Sequence, residues 1–316
     1  MVQPSNDSSV ESLISEICQH RTTLESLALR FRKRIEQLET LSHADSNRKS
    51  GVYWKAVAFG DSLVRVRLFL DQNFKCIETV GVLAVSRYLF ELTVWFKLLQ
   101  TDSRYGLVYY HQLLKKQLDF YTALRNRAER EISFLRQIDV TERSLMVSSL
   151  SEAMRISDEE ARNTALRQLS SRVMRQIDQD ASRNFSLYGA QAQTNGYGFQ
   201  SNLVETEVVP KHSKAIADIE QELRDFEHGM SAEIKTLTPK RWKWNEQAQK
   251  VGMEDEYDFI YLFASLLMHA TPVSITTDQK NLEPEEMRAF LKYIRVRVSD
   301  ITQMAEDLLE TPVAFQ

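Results

Sequence analysis

The stretch SRYLFELTVWFKLL, residues 86–99, is the most apolar part of this chain and decides its fold class. Apolar side chains occur on nearly every side of it at helical spacing, which predicts an α-helix that is buried almost all round. Arg87 and Glu91 nevertheless stand four residues apart in this stretch. On a helical wheel they lie within about 40° of each other, so they form a pair on one face.

Glycine and proline are sparse along the whole chain. Only 9 Gly and 6 Pro occur in 316 residues, whereas an all-β protein needs a turn every 8–12 residues or so. Most segments instead repeat their apolar residues at helical spacing. The sequence therefore predicts an all-α fold, a multi-helix bundle with a long charged helical hairpin and a loop rich in Gly, Asn and Gln.

The pattern predicts an N-terminal helix within residues 1–48 and a helical bundle domain over residues 51–310. Inside the bundle, residues 125–182 are dense in Arg and Glu and read as a charged helical insertion, with one helix ending near residue 138 and the next beginning near 141. Residues 183–208 contain NFSLYGAQAQTNGYGFQSN, which is typical of a flexible loop. We expect the bundle to carry this loop on one side.

The composition of the chain indicates where the protein is located and which ligands it lacks. The formal charge of −4, from 40 basic and 44 acidic residues, shows no bias toward nucleic acid or an anionic membrane. No stretch has the 18 or so uncharged apolar residues of a membrane span, and the N-terminal sequence is polar. The two cysteines, Cys18 and Cys76, form no metal-binding or disulfide pattern. We expect a soluble cytoplasmic protein without metal or cofactor.

A second helix carries a polar stripe. In EYDFIYLFASLLMHATP, residues 256–272, four polar side chains recur at a spacing of four residues: Tyr257, Tyr261, Ser265 and His269. This spacing places them on one helix face. Because a polar stripe on an apolar helix needs polar partners, we expect it to pack against Arg87 and Glu91, with that pair pointing into the core. The milder polar strip of Ser86, Thr93 and Lys97 should then face solvent.

These two motifs, together with the Trp-containing segment RWKWNEQAQKVG (residues 241–252), resemble a bacterial all-α domain family of unknown function. The resemblance covers roughly residues 51–300. It implies a helical fold and a grouping of Arg87, Glu91 and His269. It implies no reaction, because the family has none assigned.

The grouped residues have two interpretations. In the first, Arg87, Glu91 and His269 are catalytic candidates: His269 carries a proton, Glu91 orients it and Arg87 binds phosphate or carboxylate. Tyr257, Tyr261 and Ser265 would then be supporting residues. In the second, the same charges form a structural network that fixes the register of the helices.

A basic and aromatic segment, PKRWKWN (residues 239–245), gives candidates for nucleic-acid or phosphate binding: Lys240, Arg241 and Lys243. Basic side chains beside tryptophan suit phosphate contact with base stacking, and so an RNA or nucleotide ligand. The alternative is that Trp242 and Trp244 pack into the bundle while the basic side chains are solvated.

A further pattern, Arg104 and His111 in DSRYGLVYYHQ, is similar to the R-x(4–6)-H signature of helical HEPN-type ribonucleases. Chance alone predicts about one such match in a chain of this composition, so the pattern is uninformative by itself. Two hypotheses result. One is a nuclease-like or phosphate-ligand-binding effector, and the other is a non-enzymatic scaffold that binds itself or another protein through residues 125–182.

Overall fold

The computed structural model describes residues 9–41, 50–72, 79–269 and 281–311. Within these ranges the chain forms helices and no strand, which confirms the all-α, multi-helix prediction. Cys76 lies outside the described ranges, as do residues 1–8 and 42–48 of the predicted N-terminal region. The chain divides into two compact units, residues 1–111 with 230–316, and residues 112–229.

The described residues of the first unit begin with the helices α1 Val10–Gln19, α2 Arg21–Leu41, α3 Gly51–Gln72 and α4 Thr79–Thr101. The long helix α5, Tyr105–Met154, starts in this unit, whose boundary falls between residues 111 and 112 of that helix. The unit is completed by α10 Ala232–Leu237, α11 Trp244–Lys250, α12 Glu254–Glu256, the π-helical turn Tyr257–Tyr261, α13 Leu262–Met268 and α14 Pro284–Glu310. Pro284 occupies the first turn of α14, where a missing backbone N–H costs no hydrogen bond within the helix.

Helix α4 is central in the core of the first unit. Thirteen of its 23 residues are buried, and it packs against α3, α11, α13 and α14. Leu89, Phe90 and Phe96 on α4 are at most 1% exposed, and each such side chain contributes roughly 1.5–3 kcal/mol through removal from water. Helices α1 and α2 also supply buried residues to this core.

The orientation predicted for α4 is wrong in one respect. Ser86 and Thr93, expected at a solvent-facing edge, are fully buried, and the hydroxyl of Thr93 donates to the carbonyl of Leu89 at 2.7 Å. Arg87 and Glu91 lie instead on the less buried side of the helix. Thr93 can be buried because its hydroxyl is satisfied within its own helix, whereas a charged pair keeps access to water. The buried hydroxyl of Ser86 has no hydrogen-bond partner among the described residues.

Helices α3 and α5 approach each other closely at two glycines. A Cβ atom at Gly106 would collide with the carbonyl oxygen of Gly51, and a Cβ atom at Gly51 would collide with the carbonyl oxygen of Ser103. The absence of side chains here lets the first turn of α3 lie against the first turn of α5. This contact places Tyr109 of α5 on the same side of the unit as α4.

The second unit contains the rest of α5, then α6 Glu159–Ala181, α7 Gly189–Asn195, α8 Tyr197–Leu203, the π-helical turn Val204–Val208 and α9 Val209–Gly229. Its core includes Ala128, Leu135, Val173 and Ile177 from α5 and α6. The predicted charged hairpin is therefore helical, but its turn lies at residues 155–158. The break predicted near residue 140 does not occur, because α5 runs through it.

The flexible loop predicted over residues 183–208 is wrong as a description of structure. Most of this segment is helical, and Ala192, Tyr197 and Val204 are at most 1% exposed in the core of the second unit. The hydroxyl of Tyr197 donates to Asp178 of α6 at 2.8 Å. The burial of these few side chains thus outweighs a composition that is typical of a loop.

Residues 9–41, the described part of the predicted N-terminal helix, form two helices that meet at His20, and both pack into the core of the first unit. Throughout the part of the chain that the structure describes, no helix combines the length and the apolar character needed to cross a membrane.

Candidate functional site

Arg87 is the centre of a polar cluster that joins α4 to the helical segment 257–268. Its Nε donates to Glu91 Oε1 at 3.2 Å, its Nη1 to Ser265 Oγ at 3.0 Å and its Nη2 to the hydroxyl of Tyr261 at 2.9 Å. All three nitrogens of the guanidinium are therefore bonded to protein groups. The structure brings together four of the six residues of the predicted centre in this way.

The aromatic residues of the segment hold the guanidinium in place. The Cζ atom of Arg87 lies 4.2 Å from the centre of the Tyr261 ring, a cation–π contact. The Tyr257 ring stacks on Tyr261 with centres 4.9 Å apart, and Phe90 of α4 packs beside both tyrosine rings. Tyr257 thus supports Tyr261 through ring packing.

Ser265 extends the cluster back into its own helix. Its hydroxyl accepts from Arg87 and donates to the carbonyl of Tyr261 at 2.7 Å. That carbonyl lies in the π-helical turn 257–261, where the regular α-helical bond pattern is interrupted. The serine therefore uses both its donor and its acceptor capacity in structural contacts.

The cluster is half-buried and not sealed. The side chains of Arg87 and Glu91 are 24% and 26% exposed. Burial raises the pKa of the Glu91 carboxyl, and the hydrogen bond and charge of Arg87 oppose that rise without cancelling it. Burial also raises the pKa of the Tyr261 phenol, against the opposing charge of Arg87. Glu91 is therefore only partly compensated by its partner.

His269, the predicted proton carrier, lies just beyond the last residue of α13. Its backbone is extended and its side chain is exposed. The helix predicted to carry His269 on one face with Tyr257, Tyr261 and Ser265 ends one residue before it, at Met268. Its assignment to the same centre as Arg87 and Glu91 stays a prediction.

The basic candidates Lys240, Arg241 and Lys243 are all exposed, and Lys243 forms an ion pair with Glu246 at 2.6 Å. The tryptophans between them pack inward. Trp242 stacks on Trp95 of α4 with ring centres 4.1 Å apart, and both Trp242 and Trp244 contact the core. The rings are thus used in packing, the alternative that the sequence left open.

The Arg104 and His111 pair does not form a shared face. Arg104 is exposed and bonded to Asp102 and Glu233, whereas His111 is only 4% exposed. The two side chains therefore lie in different environments.

Sequence reasoning missed an aromatic cleft beside Glu91. A cavity of about 220 Å³ lies between α3, α4, the start of α5 and α11. Its lining includes Ser62, Tyr88, Glu91, Trp95, Tyr109 and Trp244. Tyr88, Glu91 and Trp95 share one face of α4 at i, i+3 and i+7 spacing, and that spacing is the signal that could have found them.

Comparison with known proteins gives no relative: no family model, no curated protein and no solved structure matches this chain.

Proposed function

We propose that this protein is a non-enzymatic interaction scaffold in which the Arg87 cluster is a structural brace. The observation that carries the proposal is the bonding of Arg87, whose three nitrogens all donate to protein groups on two helical segments. A guanidinium that binds a substrate phosphate needs donors directed at that phosphate. Here they are directed at Glu91, Tyr261 and Ser265.

An exposed apolar stripe on α5 supports the interaction role. Val140, Val147, Leu150 and Met154 are 66%, 65%, 46% and 61% exposed, and their spacing of seven, three and four residues places them on one side of the helix. The surrounding run SLMVSSLS, residues 144–151, carries no charge although the flanking sequence is highly charged. Such a stripe is typical of a helix that pairs with another helix.

The proposed partner is another helical protein surface, in the first instance a second copy of this chain. A second copy presents the same stripe, so two chains can bury it against each other in a symmetric contact. The proposal includes a cytoplasmic location in a bacterial cell, supported by the scarcity of cysteine and by the free thiol of Cys18.

Self-association at this stripe is tested with Val147→Glu. We expect the mass of the wild type in sedimentation to rise with concentration, and Val147→Glu to shift the association at least tenfold to higher concentration, because it places a charge in an apolar contact. Thr141→Glu is the matched control, since it adds the same charge to an exposed position of α5 roughly 100° away from Val140. A wild type that is monomeric at every concentration and captures no partner would contradict the proposal.

A nuclease-like or phosphate-binding effector is the competing proposal. The exposure of His269, Lys240 and Arg241 supports it. It is the weaker of the two, because three of the five N–H groups of Arg87 already donate to protein groups.

A further inference from the structure

The cleft beside Glu91 is walled by aromatic rings that other rings hold in place. Trp95 meets Tyr109 edge to face with centres 5.5 Å apart, and Trp242 stacks on Trp95. Tyr88 meets Phe69 edge to face at 4.8 Å. Tyr88, Trp95, Tyr109 and Trp244 are half-buried, so each keeps part of its surface accessible. The rings of the wall are therefore packed against other rings and partly accessible to solvent.

The charge that lines the cleft is negative. Among the described residues that line it, Glu91 is the only side chain that is charged at neutral pH; no lysine, arginine or histidine lines it. Glu91 Oε1 accepts from Arg87, whereas Oε2 accepts no hydrogen bond from the described part of the chain. The other nitrogens of Arg87 point to Tyr261 and Ser265. The carboxylate of Glu91 thus lines the cleft with one of its oxygens bonded to Arg87.

The tyrosines contribute neutral rings. Burial raises the pKa of Tyr109 to about 12, with a smaller contribution from the charge of Asp61. Burial also raises the pKa of Tyr88, which the nearby charge of Arg65 opposes. Both phenols stay protonated at neutral pH, so their faces present the negative side of an aromatic quadrupole.

We propose that this cleft binds a small organic cation of the alkylammonium class, held by the aromatic rings of Tyr88, Trp95, Tyr109 and Trp244 and by the carboxylate of Glu91. Aromatic walls with one carboxylate are the combination that recognises a methylated ammonium group, because the rings attract the cation without requiring hydrogen bonds from it. The cavity of about 220 Å³ is smaller than the roughly 300–1,000 Å³ of sites for larger ligands. It suits a headgroup or a small free cation.

The site is independent of the apolar stripe on α5, although Glu91 belongs both to the cleft and to the Arg87 cluster. The stripe on α5 belongs to the second unit, and every residue of the cleft belongs to the first. Loss of self-association would leave the cation site intact, and absence of a cation site would leave the stripe intact.

The test compares choline with 3,3-dimethylbutanol, which has the same shape and no charge. Binding to the full chain is followed by calorimetry and by tryptophan fluorescence, since Trp95 and Trp244 line the cleft. We expect choline to bind at least tenfold more tightly than its neutral analogue. Equal affinities, tighter binding of the neutral analogue, or no binding of choline up to about 10 mM would overturn the proposal.

A pair of variants at one position assigns the binding to the cleft. Tyr88→Leu removes a ring and should weaken choline binding about tenfold, whereas Tyr88→Phe keeps the ring face and should leave the affinity within about twofold. If Tyr88→Leu does not fold, Trp244→Leu takes its place with Trp244→Phe as its control. Equal effects of the two variants in a pair would overturn the assignment.

Discussion

Glu91 takes part in two environments at once. One oxygen is bonded to Arg87 and the side chain lines the aromatic cleft. Removal from water raises its pKa more than the attraction of Arg87 lowers it. The charge that lowers the pKa of Glu91 is that of Arg87 on the same helix. The charge of Glu91 in turn raises the pKa of the phenols of Tyr88 and Tyr261. The ionised form of Glu91 is therefore less favourable in the folded protein than in water, and its ionisation lowers the stability of the folded state.

This imbalance gives a pH dependence with a defined sign. The folded state keeps the Glu91 proton to a higher pH than the ordinary value of 4.5, so stability falls as pH rises from that value through the folded pKa, and is then constant. Glu91→Gln cannot ionise. We expect the free energy of unfolding of the wild type, relative to Glu91→Gln, to decrease over this window by about 1.4 kcal/mol for each pH unit that separates the two pKa values.

The measurement is urea unfolding of both proteins in a series of buffers from pH 3.5 to pH 8. A difference between the two free energies that is constant with pH, or that increases as pH rises, would contradict the role given to burial.

Among the helices, the connection between α6 and α7 shows how one buried charge orders a polar segment. Glu131 of α5 is fully buried and accepts from Arg127, from the hydroxyl of Ser186 at 2.6 Å and from the backbone N–H of Leu187 at 3.0 Å. The residues before α7 are thereby tied to α5. A buried carboxylate needs several such donors to offset its removal from water.

We expect Glu131→Ala to lower the free energy of unfolding by about 3–5 kcal/mol, because it leaves Arg127 and two further donors without their acceptor. Glu129→Ala is the matched control on the same helix. Glu129 is 55% exposed and 3.7 Å from Arg125, so we expect a change of less than about 0.5 kcal/mol. Urea unfolding followed by far-UV circular dichroism measures both, and similar losses in the two variants would refute the role of Glu131.

The helices themselves follow from local patterns in the sequence. The apolar run of α4, the first-turn proline of α14 and the four-residue spacing of Tyr261 and Ser265 each correspond to a feature of the structure. The spacing also suggested the partner, since a guanidinium at Arg87 needs acceptors. Short-range periodicity is sufficient for such features because it depends on one helix or on one pair of helices.

Features that depend on several helices were not predictable from the sequence. The burial of Ser86 is set by which neighbours surround α4, and the ordering of residues 189–208 is set by a few anchors such as Tyr197. The cleft needs residues of four helices, and no local pattern connects Tyr109 with Trp244. His269 was placed on the helix, but α13 ends one residue before it, at Met268.

At the scale of the whole molecule, each of the two units has its own apolar core. The four tryptophans of the chain, Trp54, Trp95, Trp242 and Trp244, all belong to the first unit. Tryptophan fluorescence therefore reports the unfolding of the unit that contains the Arg87 cluster. This allows the brace to be tested in the intact chain.

The most direct test of the account is urea unfolding of Arg87→Met, followed by tryptophan fluorescence, beside Arg87→Lys and His269→Ala. We expect Arg87→Met to lose about 2 kcal/mol, between the values for exposed and fully buried pairs, because the pair is about one quarter exposed. Arg87→Lys should lose less, since it keeps the charge but not the three-way bonding, and His269→Ala should change by under about 0.5 kcal/mol. Unchanged or increased stability of Arg87→Met would contradict the brace and indicate a residue kept for binding or catalysis.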